Sequence, residues 1–211
     1  MNELENDIAN EIVNIGLAKA ADSMAFFTKE KVLIRGLNLQ KIKLDDLNSV
    51  LTYDNNDLQF VLTTELKGAL KGVCYLIFSE SDVEKILKVS LPASILNDPA
   101  KLKVMADAIL LEMDNIIVAS VVTQFSNFFN YKMYGDVPKL HKSNNEDFKK
   151  LVISENPGSE YFMYFKAEMH SSVIDVTPEF IWMLDDKFLE GVLEIAQNDE
   201  VLIKLGLDSK K

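Results

Sequence analysis

The sequence predicts an α/β (α+β) fold with an internal, pseudo-twofold duplication, in which two long helices that carry the same motif pack on a β-sheet. The same order of elements (helix, strand, loop, strand, strand, helix) is predicted twice, at an offset of about 100 residues. Apolar runs such as VCYLIF and YFMYF are typical of strands in a sheet that helices cover. A chain of 211 residues, 48% of them apolar, can bury a sizeable core. We therefore expect one domain made of two repeats, about 1–95 and 98–200.

The first repeat begins with a helix predicted over residues 2–27, because Ile8, Ile12 and Ile15 recur at the spacing of one helix face. Three β-rich segments and a second helix follow, with Gly68 in the turn between the last two strands. The strands are predicted over 31–39, 58–66 and 72–78, and the closing helix over 80–89.

The second repeat follows a short linker between Pro92 and Pro99. Asp98 is the predicted N-cap, and Pro99 the first residue, of a helix that runs to about Phe129. Its apolar stripe comprises Ile109, Met113 and Ile116. Strands are predicted over 131–140, 160–169 and 180–184, a further strand around 151–154, and a closing helix over 185–197. The last residues, 205–211, are expected to form a frayed end.

Composition excludes several classes of function. A net charge of −11 argues against nucleic-acid binding and against attachment to anionic lipid. One cysteine and two histidines rule out an internal disulfide and a Cys-rich or His-rich metal site. The acidic start of the chain does not resemble a signal peptide, and no apolar run is long enough to span a membrane. We expect a cytoplasmic protein.

Familiar catalytic constellations are absent from the sequence, which contains no glycine-rich phosphate loop and no GxSxG elbow. Cys74 lies within the apolar run GVCYLIF and is interpreted as a buried structural thiol. His170 follows the run YFMYFKAEM and is interpreted as a polar residue at a strand end. Trp182 is assigned to the core rather than to a ligand platform.

The two long helices share an ExxN motif. Glu11 and Asn14 stand in the first helix, and Glu112 and Asn115 stand in the second. Residues three apart lie on the same helix face, and in both helices the apolar stripe begins one residue further on. Each Glu/Asn pair is therefore predicted to lie at the edge of the exposed face. A further ExxN near the N-terminus, ending at Asn6, is attributed to chance.

Both repeats also match parts of a longer pattern, in which Ser or Asp stands four positions before Glu, and Pro follows Asn after 22 residues. The first repeat has Asp7 but Leu37 in place of proline, whereas the second has Pro138 but Ala108 in place of Ser or Asp. With the stretch NIGLAKAADSMA, these features resemble the CheC/CheX/FliY family of chemotaxis phosphatases over roughly residues 5–198. Two motif copies make the chain most similar to CheC.

This resemblance implies that the chain hydrolyses the phospho-aspartate of a CheY-type response regulator. It assigns Glu11, Asn14, Glu112 and Asn115 to the site, where each Asn orients the attacking water and each Glu pairs with a lysine of the regulator. The chemistry of asparagine suits this role, because its carboxamide accepts and donates hydrogen bonds without titrating. No cofactor of its own is implied, since the Mg²⁺ belongs to the regulator.

A binding module is the alternative that the sequence leaves open, because each repeat lacks one element of the family pattern. Such a module would dock a response regulator, a CheD-type deamidase or a second copy of itself, with little catalysis. An enzyme for small molecules that uses His170 or Cys74 is a third hypothesis. The orientation of Asn14 and Asn115 separates these interpretations, since a catalytic carboxamide must face the solvent.

Overall fold

The structure is a computed structural model that describes residues 1–28, 31–52 and 57–207. Its first half contains the predicted long helix, three strands and closing helix. The elements are α1 (Glu3–Thr28), β1 (Leu33–Lys43), a 3-10 turn (Leu44–Asp46), α2 (Leu47–Val50), β2 (Gln59–Gly68), β3 (Gly72–Ser79) and α3 (Glu80–Ser90). Strand β1 is longer than predicted because it pairs with a strand of the second half as far as Lys43.

The second half is dominated by the long helix α5, which begins and ends where the sequence predicts. The elements are α4 (Ala93–Leu96), α5 (Pro99–Phe129), β4 (Met133–Gly135), β5 (Lys139–Ser143), α6 (Asn145–Glu155), β6 (Tyr161–His170), β7 (Asp175–Val176), β8 (Glu179–Leu184), α7 (Lys187–Ala196) and α8 (Asp199–Lys204). The Asp98 carboxylate caps α5 by accepting the N–H of Lys101 at 3.2 Å. Asn130 ends the helix in the left-handed conformation.

Two predictions for the second half are wrong. The segment around 151–154 is not a strand, because it belongs to helix α6. Asn144 caps this helix by accepting the N–H of Asp147 at 2.9 Å, and the buried Phe148 and Val152, four residues apart, form its apolar face. The strand predicted over 131–140 is interrupted between β4 and β5.

The C-terminal region is also more ordered than expected. Helix α8 follows α7, and Leu205, just after it, is buried in the main core. The expected fraying therefore does not apply to residues 205–207, and residues 208–211 lie outside the described part of the chain.

The strands of the described residues belong to one antiparallel sheet in the order β1–β6–β8–β3–β2–β4, with β5 paired to β2 and β7 paired to β6. Strands of the two halves are interleaved, because β6 and β8 of the second half lie between β1 and β3 of the first, so neither half forms its sheet alone. The order reads the same from both ends if β1, β2 and β3 are exchanged with β4/β5, β6 and β8. Superposition of the two halves stays a prediction.

Apolar side chains occupy both faces of the sheet. Along β3 they alternate, so that Cys74 and Leu76 contribute to the main core and Tyr75 and Ile77 to a smaller one. The main core lies under α1, α5, α3 and α7, and the smaller core lies under α2 and α6. No helix within the described residues is long and apolar enough to cross a membrane.

Helices α1 and α5 pack against each other at Gly16 and Val121. A Cβ atom added at Gly16 would lie 2.6 Å from the Cα of Val121, so this approach requires glycine. The glycine of the Asn-Ile-Gly stretch thus allows the two motif-bearing helices to approach each other closely.

Candidate functional site

Helix α5 presents Glu112 and Asn115 together on its solvent face. Both residues are exposed, while Met113 and Ile117 on the opposite side are buried in the main core. The pair lines an open groove of about 430 Å³, formed with Ala108, Leu111 and the segment Gly135–Pro138. We call this feature the α5 groove. It brings together four residues of the second repeat that the family pattern aligns: Ala108, Glu112, Asn115 and Pro138.

The far wall of the α5 groove is the irregular segment between β4 and β5. The backbone N–H of Asp136 donates to the Glu65 carbonyl at 2.8 Å, and the Asp136 carboxylate accepts the N–H of Val137 at 2.9 Å. The same carboxylate pairs with Lys67, whose ammonium holds the pKa of Asp136 below its ordinary value. Proline has no N–H to donate, so Pro138 prevents a continuous strand here.

Behind the exposed pair, the buried Asp114 is a feature that the sequence interpretation missed. Its Oδ2 lies 2.5 Å from Oγ1 of Thr64 on β2, and its Oδ1 has no partner among the described residues. Burial raises the pKa of this carboxyl to about 7, and the Thr64 bond opposes the rise only in part. Helical spacing was the available signal, because Asp114 falls on the buried row of Leu110 and Ile117.

In the first half, the asparagines of α1 bind strand β1. Asn14 Oδ1 accepts the N–H of Gly36 at 3.0 Å, and Asn10 Oδ1 accepts the N–H of Leu39 at 2.8 Å. The β1–β6 pairing shifts register between residues 37 and 40, so these side chains satisfy amides near an irregular stretch of the ladder. The carboxamide oxygen of Asn14 therefore has a structural partner, which Asn115 lacks among the contacts of the described residues.

The remaining residues of the first motif lie in a different setting from those of the α5 groove. Glu11 and Asn14 are half-buried, and Asp7 one turn earlier is exposed. Leu37, at the proline position, lies within β1, where its backbone pairs with Lys166 of β6. The α5 groove thus contains only residues of the second repeat.

Cys74 and His170, the alternative catalytic groups, and Trp182, the alternative ligand platform, all have structural environments. Cys74 is buried, and burial raises the pKa of its thiol well above its ordinary value. Trp182 is buried in the main core, as predicted. His170 ends β6, also as predicted, and its Nδ1 lies 2.8 Å from a carboxylate oxygen of Asp175. No group of three His, Cys, Asp or Glu residues in the described ranges is placed to hold a metal ion.

Comparison with solved structures identifies the fold. FliY of Thermotoga maritima matches 92% of this chain and 96% of its own, with 18% identity and a TM-score of 0.73. A chain of the FliM–SpeE complex of H. pylori matches 94% of this chain and 98% of its own, with 10% identity and a TM-score of 0.61. A chain of the FliG–FliM complex of H. pylori matches 92% of this chain and 100% of its own, with 11% identity and a TM-score of 0.58.

Sequence comparisons add no assignment, since no protein-family model matches the chain and no curated protein matches it. Greater similarity to CheC than to other members stays a prediction, because the structures with the strongest likeness reported above are FliY and FliM chains. The predicted fold class is confirmed as a mixed α/β architecture. The chain has the fold of the CheC/CheX/FliY family, which the middle domain of FliM shares.

Proposed function

We propose that the chain is an aspartyl-phosphate phosphatase that acts on a phosphorylated CheY-type response regulator at the α5 groove. One observation carries the proposal: Glu112 and Asn115 are exposed together on a long helix anchored in the core, next to Pro138. A helix that enters a partner's site must be both rigid and accessible, and α5 satisfies both requirements. A cytoplasmic location is part of this proposal.

In the proposed reaction, Asn115 orients one water molecule for in-line attack on phosphorus. The water oxygen forms a bond to phosphorus as the bond to the aspartyl oxygen breaks, and the aspartate leaves as a carboxylate with inorganic phosphate as the other product. An acyl phosphate is already activated, so the reaction requires no nucleophile from this chain. The neutral carboxamide contributes position rather than charge, and most of its effect is expected on the rate.

Glu112 is proposed to fix the position of α5 on the regulator by pairing with a lysine of the regulator's site. Charged groups at the edge of an interface mainly affect association and orientation. The Mg²⁺ required for phosphoryl chemistry would be bound by the regulator. In this proposal the regulator supplies the metal ion, and this chain supplies the carboxamide of Asn115 and the carboxylate of Glu112 at the groove.

The direct test is the decay of phosphorylated receiver domains with and without the protein. A set of purified CheY-type receiver domains is phosphorylated with acetyl phosphate, and loss of phospho-aspartate is followed over time. We expect wild-type protein to accelerate the decay of at least one receiver. The Glu112→Gln variant should bind and act more weakly, whereas Glu200→Gln, on the remote helix α8, is a matched control. No acceleration for any receiver would contradict the proposal.

A protein-binding module is the second candidate function, and the Asn14–Gly36 hydrogen bond favours it for the first half. FliM chains with this fold were solved in complexes with FliG and with SpeE, so the fold supports protein binding in those proteins. A response regulator, a CheD-type deamidase or a second copy of the chain would be the partner. Binding of an unphosphorylated partner without any phosphatase activity would favour this function.

A further inference from the structure

The α5 groove continues into an exposed apolar surface. Val137, on the far wall, is 78% exposed, and Val104, one turn before Ala108 on α5, is 68% exposed. Met105 beside it is 39% exposed. We call Val104, Met105, Ala108 and Val137 the apolar patch. Exposed apolar residues scattered singly are ordinary, but a group that flanks a candidate catalytic pair indicates an interaction site.

Val137 is held in its exposed position by its neighbours. Its N–H is bound by the Asp136 carboxylate, which also pairs with Lys67, and the following residue is the conformationally restricted Pro138. The backbone of Asp136 is in turn bonded to Glu65 on β2. A side chain presented in this way loses little freedom on binding, which favours a role as an anchor in an interface.

The corresponding face of α1 has a different charge. The positions of Val104 and Ala108 on α5 correspond in the motif register to Glu3 and Asp7 on α1, and both of these acids are exposed. Together with Glu11 they form an acidic row. Within the α5 groove, the acids are Glu112 and Asp136, and the Asp136 carboxylate is neutralised by Lys67.

We infer that the apolar patch is the docking surface for the same phosphorylated receiver domain whose phospho-aspartate Asn115 would face. This inference rests on the proposed function and extends it from the reacting groups to the partner's contact surface. A phosphoryl group adds negative charge to the partner, so the acidic row of α1 repels it and the apolar patch does not. The patch therefore directs the receiver to α5 rather than to α1.

The test compares the same substitution at an exposed valine inside and outside the patch. The variants are Val137→Asp, Val104→Asp and, as the matched control, Val173→Asp, whose position before β7 is 46% exposed. Calorimetry measures binding to CheY-type receiver domains that carry beryllofluoride, a mimic of the phosphoryl group, and Mg²⁺. Dephosphorylation is measured separately with receivers phosphorylated by acetyl phosphate, and thermal unfolding confirms that each variant is folded.

We expect Val137→Asp to weaken binding by about tenfold or more and to raise KM with little change in kcat, because it removes an anchor and adds like charge. Val104→Asp should have a smaller effect in the same direction, and Val173→Asp should match the wild type. The inference would be overturned if Val137→Asp bound the beryllofluoride-bound receivers as tightly as the wild type, or if the wild-type protein bound none of them. Receiver binding that is lost in Val137→Asp, without any dephosphorylation by the wild type, would support the docking surface and refute only the phosphatase.

Discussion

The two ExxN motifs place their asparagines in different roles. Gly36 and Val137 both stand 22 positions after the motif asparagine, so they are equivalent in sequence. The N–H of Gly36 is bound by Asn14, whereas the N–H of Val137 is bound by Asp136. Asn115 is consequently free of this contact. In the first half of the molecule the motif asparagine accepts a backbone hydrogen bond, and in the second half the motif residues form an exposed pair.

The residues that follow Gly36 and Val137 differ, and so does the backbone around each of these two N–H groups. In the second half, Pro138 interrupts the strand, and the exposed segment satisfies its own N–H through the neighbouring aspartate. In the first half, β1 continues past Leu37 and pairs with β6, with a register shift whose amides need acceptors from α1. The two motif asparagines thus differ in whether a backbone N–H occupies the carboxamide oxygen.

The largest expected effect is the loss of catalysis in Asn115→Ala. Removing one preorganised hydrogen-bonding group typically lowers kcat on the order of 10²-fold. Asn14→Ala should retain most of the activity, and the double variant should be no slower than Asn115→Ala alone. The measurement is the single-turnover decay of phosphorylated receiver. Equal losses of kcat in the two single variants would show that the hydrogen bond to the Gly36 N–H does not remove Asn14 from catalysis.

The buried Asp114, which corresponds in motif register to Val13, should make stability depend on pH. Its pKa is raised from 3.8 to about 7 in the folded state, so its favourable contribution is complete below pH 4 and is lost as pH rises through 7. One pKa unit corresponds to about 1.4 kcal/mol, so we expect Asp114→Asn to stabilise the protein more at pH 8 than at pH 5, by a difference of about 2–3 kcal/mol.

Urea unfolding at both pH values measures this effect of Asp114. The half-buried Asp107 on the same helix provides the control variant Asp107→Asn, which should show no comparable gain at pH 8. A gain for Asp114→Asn that is the same at pH 5 and pH 8 would contradict the assignment of a raised pKa.

The contact between the two helices predicts an effect of similar size. Gly16→Ala places a methyl group against the backbone of Val121, so we expect a loss of about 1–3 kcal/mol in the free energy of unfolding. Gly191→Ala is the comparison, because the group that its methyl meets is the buried ring of Phe129 rather than backbone. Denaturant unfolding measures both losses. A Gly16→Ala variant as stable as the wild type would show that the helices can separate without cost.

The smallest expected effect is on stability at the motif asparagines themselves. Asn14→Ala leaves the Gly36 N–H without its acceptor, which should cost about 1 kcal/mol. Asn115→Ala removes an exposed side chain and should change stability by less than about 0.5 kcal/mol. The two variants are controls for each other in thermal unfolding. A larger loss of stability in Asn115→Ala than in Asn14→Ala would mean that Asn115 rather than Asn14 is the structural residue.

Much of the fold follows from local sequence signals. The start of helix α5 follows from Asp98 and Pro99, and the helix ends at Phe129, about where it is predicted to end. Strand β3 is recognised from a run that is apolar on both faces. Helix α6 is not predicted because its local signals are weak. Its amphipathic pattern is short, and its N-cap, Asn144, lies in a polar stretch of the sequence.

By itself, the sequence determined the two long helices, the exposed Glu112/Asn115 pair of α5 and the buried position of Cys74, because helical spacing and apolar runs are local properties. Only the tertiary structure decided that Asn14 binds β1, that Asp114 is buried against Thr64 and that Val137 stands beside Glu112 in one groove. Each of these depends on contacts between residues 22 to 50 positions apart, which form only when the sheet brings its strands beneath the helices.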